Sequence, residues 1–104
     1  MSKIQINNQD YEAKTSEGLV LVYFWRGSDP VSRILVSAVE KISKEYGETL
    51  KVASVDAEEQ PLVASRLGAS TFPGYHIMKD GELVERAWGV KYESELRQLI
   101  EKHL

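Results

Sequence analysis

The apolar and polar positions of this chain change period several times, and each change marks an element. Leu19 to Trp25, LVLVYFW, is apolar almost without a break, which predicts a strand buried on both faces. From Val31 to Tyr46 the apolar residues Val31, Leu35, Ala38, Val39, Ile42 and Tyr46 recur at helical spacing, with Glu40, Lys41, Lys44 and Glu45 on the other side. That pattern predicts an amphipathic helix. Its start is signalled by Asp29, a favoured N-cap residue, and by Pro30 at the first helical position; Gly47 is placed to end it.

The remaining elements are shorter. Lys3 to Ile6 predicts a first strand, Asp10 to Thr15 a brief helix, and Ser16-Glu17-Gly18 a turn. Leu50 to Val55 predicts a strand, and Pro61 to Leu67 a short helix closed by Gly68. Tyr75 to Lys79 and Glu82 to Trp88 predict two strands joined at Asp80-Gly81, a strong hairpin signal. Glu93 to Leu104 carries Leu96, Leu99 and Ile100 on one face and acidic residues in its first turn, which predicts a C-terminal helix. Alternation of strand and helix calls for parallel pairing, and the hairpin adds antiparallel strands at the end. The expected architecture is α/β: a mixed central sheet between two layers of helices, one domain over residues 1–104.

Composition narrows the chemistry. The chain has 104 residues, 42% hydrophobic and 28% charged, with 13 Lys+Arg against 16 Asp+Glu and a net charge of −3. The signs are interspersed, so no basic patch of the kind nucleic acid requires is expected. The longest apolar run falls far short of the ~20 residues that span a bilayer. The N-terminal stretch MSKIQINNQD has no apolar core of a signal peptide, and a cytoplasmic location is expected. There is no cysteine, which removes disulfides, thiolate metal sites and thiol nucleophiles from this chain. His76 and His103 make no ligand spacing; His76 is expected to pack within a strand and His103 to be solvated. The acidic group Asp56, Glu58 and Glu59 is expected to be a solvated charge cluster at a helix start rather than a cation site.

With the elements placed, the chain resembles the thioredoxin family over nearly its full length. The similar stretches are GLVLVYFW at Gly18 to Trp25, EKISKEYGETLKVASVDAEEQP at Glu40 to Pro61, FPG at Phe72 to Gly74, MKDGELVERAWG at Met78 to Gly89 and ELRQLIEKHL at the end. The resemblance implies a thioredoxin fold of about five strands. It also implies that the family's Trp-Cys-Gly-Pro-Cys site corresponds to Ser28, Asp29, Pro30, Val31 and Ser32. Both sulfurs are gone, with the tryptophan before them and the glycine and proline between them. The family's buried aspartate corresponds to Tyr23, and a lysine near it to Ser54. Trp25 matches a tryptophan that packs behind the turn. Four chemically linked positions differ together, which implies that thiol–disulfide exchange has been abandoned. Exchange needs a thiolate, which the helix N-terminus helps to form; here Asp29 stands at that position as a carboxylate suited to capping the helix. Asp29 and Ser32 are not expected to form a catalytic pair, because a serine nucleophile needs a base and neither histidine maps beside the turn.

The family's peptide groove is what the resemblance leaves open to this chain. Its walls would be Ser28 and Val31 of the turn, a cis-proline loop at Phe72-Pro73, and Trp88-Gly89-Val90 after the last strand. Backbone pairing beside such a proline needs no sulfur. Trp88 has two possible places: under the C-terminal helix near Leu96, as strand tryptophans usually pack, or in an apolar groove with Phe72, Pro73 and Val31. The expected function is that of a redox-inactive, non-enzymatic thioredoxin relative that acts by protein or peptide binding, as a chaperone, assembly factor or docking module. It would act as a monomer, without cofactor or metal, on an unknown protein or extended peptide. The alternatives are a thiol–disulfide oxidoreductase of cell redox homeostasis, and a glutathione-binding activity centred on Ser32.

Overall fold

The computed structural model describes the backbone of residues 3–5 and residues 15–104 in full. Its order is β1 (Lys3–Gln5), β2 (Leu19–Trp25), α1 (Pro30–Tyr46), a 3-10 turn at Gly47–Thr49, β3 (Lys51–Asp56), α2 (Pro61–Arg66), β4 (Gly74–Lys79), β5 (Glu82–Trp88) and α3 (Glu93–Glu101). The brief helix expected over Asp10 to Thr15 falls outside the described residues except at Thr15, and so does Ile6 of the first expected strand.

The strands form one mixed sheet in the order β1-β3-β2-β4-β5, parallel on the β1–β3–β2 side and antiparallel from β2 through β4 to β5. The central strand β2 is buried from Leu19 to Phe24, as an unbroken apolar run demands. Its alternate residues feed two cores. Leu21 and Tyr23 join Leu35, Val39, Ile42, Tyr75, Leu96 and Ile100 under α1 and α3. Val20, Val22 and Phe24 join Val55, Val63 and Met78 on the α2 side.

Local chemistry explains the boundaries that position the site. Asp29 caps α1 from extended backbone (φ −89°, ψ 113°), and Pro30 occupies the first turn. The hairpin turn needs left-handed backbone at both Asp80 (φ 50°) and Gly81 (φ 86°), which an Asp-Gly pair supplies. The helix α3 stops at Glu101, short of the expected Leu104. Beyond it Lys79 Nζ donates to the His103 carbonyl at 3.0 Å, and His103 Nε2 lies 2.6 Å from Glu85 Oε1. His103 is therefore half-buried in a tie to β5 rather than solvated, because the chain end folds back onto the sheet edge.

One irregularity sets the face that β5 presents. From the turn, Lys79 pairs with Glu82 and Met78 with Leu83; Ile77 then pairs with Glu85, so Val84 is an extra residue. This bulge moves the later pairing by one position and puts His76 opposite Arg86 and Gly74 opposite Trp88.

Candidate functional site

The turn between β2 and α1 is closed by its own side chains. Asp29 Oδ1 accepts the Val31 N–H at 3.2 Å, and Oδ2 accepts the Ser32 hydroxyl at 3.0 Å. Ser32 is fully buried, with its hydroxyl committed to Asp29. A serine so placed meets no incoming thiol, which removes the geometric basis for a glutathione site on Ser32, and no histidine stands beside it to make it a nucleophile.

The acidic group expected to be solvated does something else in part. Asp56 and Glu58 reach back across about thirty residues of sequence to hold the turn. Gly27 N–H donates to Asp56 Oδ1 at 3.3 Å, and Ser28 N–H donates to Glu58 Oε1 at 3.0 Å. The Ser28 hydroxyl donates to Glu58 Oε2, and Arg26 Nε is 3.7 Å from the same oxygen. Glu58 and Glu59 are both exposed, and of the three acidic residues only Glu59 makes no side-chain contact to the turn among the described residues. The correction has a simple cause: an N–H-rich turn and a carboxylate pair lie at the ends of neighbouring parallel strands, where Trp25 pairs with Asp56. Among the described residues, no three acidic or imidazole groups gather as a metal site.

Beneath the turn, two tyrosines stand where the sheet is most buried. Tyr23 and Tyr75 pair across β2 and β4 with ring centroids 5.4 Å apart. The Tyr23 hydroxyl donates to the Ser32 carbonyl at 2.7 Å, and the Tyr75 hydroxyl donates to the Gly89 carbonyl at 3.1 Å. Burial, followed by the neighbouring Tyr75 and Asp29, raises the Tyr23 phenol well above its ordinary value, and burial pushes Tyr75 up to about 12. Both are neutral donors at any ordinary pH. Gly89 N–H in turn donates to the Pro73 carbonyl at 2.9 Å. The three expected walls are thus linked in one run: helix start, tyrosine pair, last loop, proline loop. Ser54, in the position of the family's lysine, is buried and its hydroxyl has no partner among the described residues. Trp25 packs against the core behind the turn, as expected.

The Phe72–Pro73 peptide bond is cis. Pro73 is buried, Phe72 is half-buried on the α2-side core, and the Arg26 guanidinium lies over its ring at 5.8 Å. The peptide groups of Phe72 stand outside the sheet ladder, which begins at Gly74. Val31, in the first turn of α1, is 44% exposed, and Val90, next to the Gly89 that bonds Pro73, is 49% exposed. Trp88 is 61% exposed, which overturns its packing under the C-terminal helix near Leu96. The bulge in β5 turns Trp88 to the sheet face opposite that helix. There it lines a cavity with Thr71, Gly74 and Arg86. Sequence reasoning also missed Ile34, which is 64% exposed one turn along from Val31. Its signal was available, since Ile34 is an apolar residue lying off the buried stripe of α1.

A mixed sheet with helices on both faces, a strand-to-helix turn and an adjoining cis-proline loop define a thioredoxin-fold domain. A sequence profile described as Thioredoxin matches residues 2–102. The chain is 33% identical over 104 residues to the thioredoxin of Bacillus subtilis (strain 168), covering 100% of both chains. It is 36% identical over 100 residues to the thioredoxin of Listeria monocytogenes, covering 96% of this chain and 97% of that one. A solved mutant thioredoxin from Halobacterium salinarum superposes with a TM-score of 0.89 at 26% identity, over 98% of this chain and 90% of that chain. The chain belongs to the thioredoxin family, and it does so without a cysteine.

Proposed function

We propose that this thioredoxin-family chain is redox-inactive and works by contact, binding an extended segment of a partner protein as a chaperone, assembly factor or docking module. The observation that carries the reading is the division of labour at the turn. Its polar side chains are spent on one another, with Asp29 on Val31 N–H and Ser32 and with Glu58 on Ser28. The apolar residues around it, Val31, Trp88 and Val90, are left exposed. Thiol–disulfide exchange requires a thiolate to attack sulfur, and this chain has none to offer. Peptide capture requires a strand-like backbone edge and apolar anchors. The Phe72 backbone beside Pro73 supplies the first, and Val31, Trp88 and Val90 supply the second. Gly89 N–H is already committed to Pro73, so that contact supports the loop instead of the partner. The setting we assign is the cytoplasm, with the chain acting as a monomer.

Insulin reduction by dithiothreitol separates this reading from that of an oxidoreductase. Pure protein is expected to leave the uncatalysed rate unchanged, and acceleration by reductase-free material would refute the proposal. The groove itself is tested by capturing partners from native lysate with the wild type and with a Phe72→Asp plus Trp88→Ala variant. A specific partner lost by the variant supports the groove; the same partners on both place the contact elsewhere.

A further inference from the structure

Behind the groove, on the α2 face of the β4–β5 hairpin, lies a cavity of about 300 Å³. It is open between the loop at residues 68–71 and strand β5, with Phe24 at its floor. The size is at the small end of the range for ligand sites. Its polar groups are unusual for a structural gap. His76 is 5% exposed and lines the cavity, so what access its ring has is by way of the cavity. Its ring packs edge-on to Phe24, centroids 4.6 Å apart, which holds it in place. Directly across the strand pair stands Arg86, which pairs with no carboxylate among the described residues. The hydroxyl-bearing residues Ser70 and Thr71 also line the cavity. Trp88, two residues beyond Arg86 on the same face, stands opposite Gly74, which contributes no side chain.

We propose that this cavity is a binding site for a carboxylate attached to a small apolar body, with Arg86 and His76 holding the carboxylate and Trp88 covering the body. One guanidinium offers a planar fork that matches a carboxylate. His76 adds one donor without adding charge, so the site carries a single positive charge. That suits a monoanion and not a phosphate dianion, for which more cations would be needed. Trp88 and Phe24 both line the cavity and give it aromatic walls against which an aryl or branched alkyl group can pack. A carboxylate of this kind comes either from a free organic acid or from the C-terminal residue of a peptide. The site is independent of the contact reading above; only Trp88 belongs to both.

The probe is phenylpropionate, titrated into the ¹⁵N-labelled full chain and followed by amide and side-chain NMR. Shifts are expected at the Trp88 indole N–H, the Arg86 Nε–H and the amides of Ser70 and Thr71, with the Val31 amide unmoved. Phenylpropanol, of the same shape without the charge, is expected to bind at least tenfold more weakly. Arg86→Gln, on the exposed edge strand, is expected to keep the fold by circular dichroism and to lose the response at least tenfold. A second arm compares a tripeptide ending in Phe with its C-terminal amide: response to the acid but not the amide assigns a peptide terminus as a source, and response to phenylpropionate alone assigns a free acid. No shift with either acid at millimolar concentration, an equal response to the alcohol, or undiminished binding by Arg86→Gln would overturn the proposal. Movement at Val31 and Phe72 alone would also overturn it while leaving the groove intact.

Discussion

Acid should destabilise this protein in a window that belongs to one side chain. His76 is almost wholly buried, and desolvation together with the nearby Arg86 cation lowers it to about 4 from the ordinary 6.5. The unfolded chain therefore binds a proton at His76 through a range in which the folded chain does not. Stability contributed in this way is complete above pH 6.5 and is lost as pH falls toward 4. At about 1.36 kcal/mol per pH unit of difference, the full loss is at most about 3 kcal/mol. Integrating the same two values between pH 7 and pH 5 gives a loss of about 2 kcal/mol. For a domain whose total stability is about 5–15 kcal/mol, that is a large fraction. The lowered carboxylates of Glu45 and Glu85, held down first by hydrogen bonds from Arg97 and from His103 respectively, lose their contribution only at lower pH. The assay is urea unfolding at pH 7, 6 and 5 for the wild type and for His76→Phe, which keeps the ring contact with Phe24 but does not titrate. The variant retains every other ionising group, so the difference between the two pH profiles isolates His76. A wild type that loses no more stability than the variant between pH 7 and pH 5 would refute the argument, as would a His76 ring whose NMR titration midpoint lies near 6.5.

Three further outcomes are expected. Asp29→Ala removes the α1 cap and strands the buried Ser32 hydroxyl, so it should cost about 0.5–2 kcal/mol in denaturant unfolding, whereas Asp29→Asn should recover most of that; an Ala variant as stable as the wild type would deny Asp29 the capping role. Tyr23→Phe leaves the Ser32 carbonyl without its buried donor and should cost about 1–3 kcal/mol, a loss that a thermal or urea melt will show. Glu58→Gln weakens an exposed latch, so global stability should change by no more than about 1 kcal/mol, while hydrogen exchange at the Ser28 amide quickens at least severalfold; unchanged exchange would mean that the turn holds itself.

Much of the fold could be read from the sequence because the signals are local. The run LVLVYFW names a buried strand, the stripe Leu35, Ala38, Val39 and Ile42 names a helix, and the Asp29-Pro30 start, Gly47 stop and Asp80-Gly81 turn set the ends. Each depends on residues within a turn or two of one another, so composition and spacing suffice. The absence of cysteine was likewise complete in the sequence, and with it the loss of any sulfur at the head of α1.

What only the tertiary structure decided concerns partners distant along the chain. Nothing local says that Glu58 will hold Ser28, or that Tyr23 and Tyr75 will tie the helix start to the last loop. Nor does spacing foretell the extra residue at Val84. Were β5 paired regularly from the Asp80-Gly81 turn, Glu85 would stand opposite His76 and the cavity would carry an anion instead of Arg86. Strand faces alternate at every residue, so a single bulge exchanges the two sides of everything beyond it. That shift depends on how the whole sheet twists and packs, and it is what brought Arg86, His76 and Trp88 to one surface.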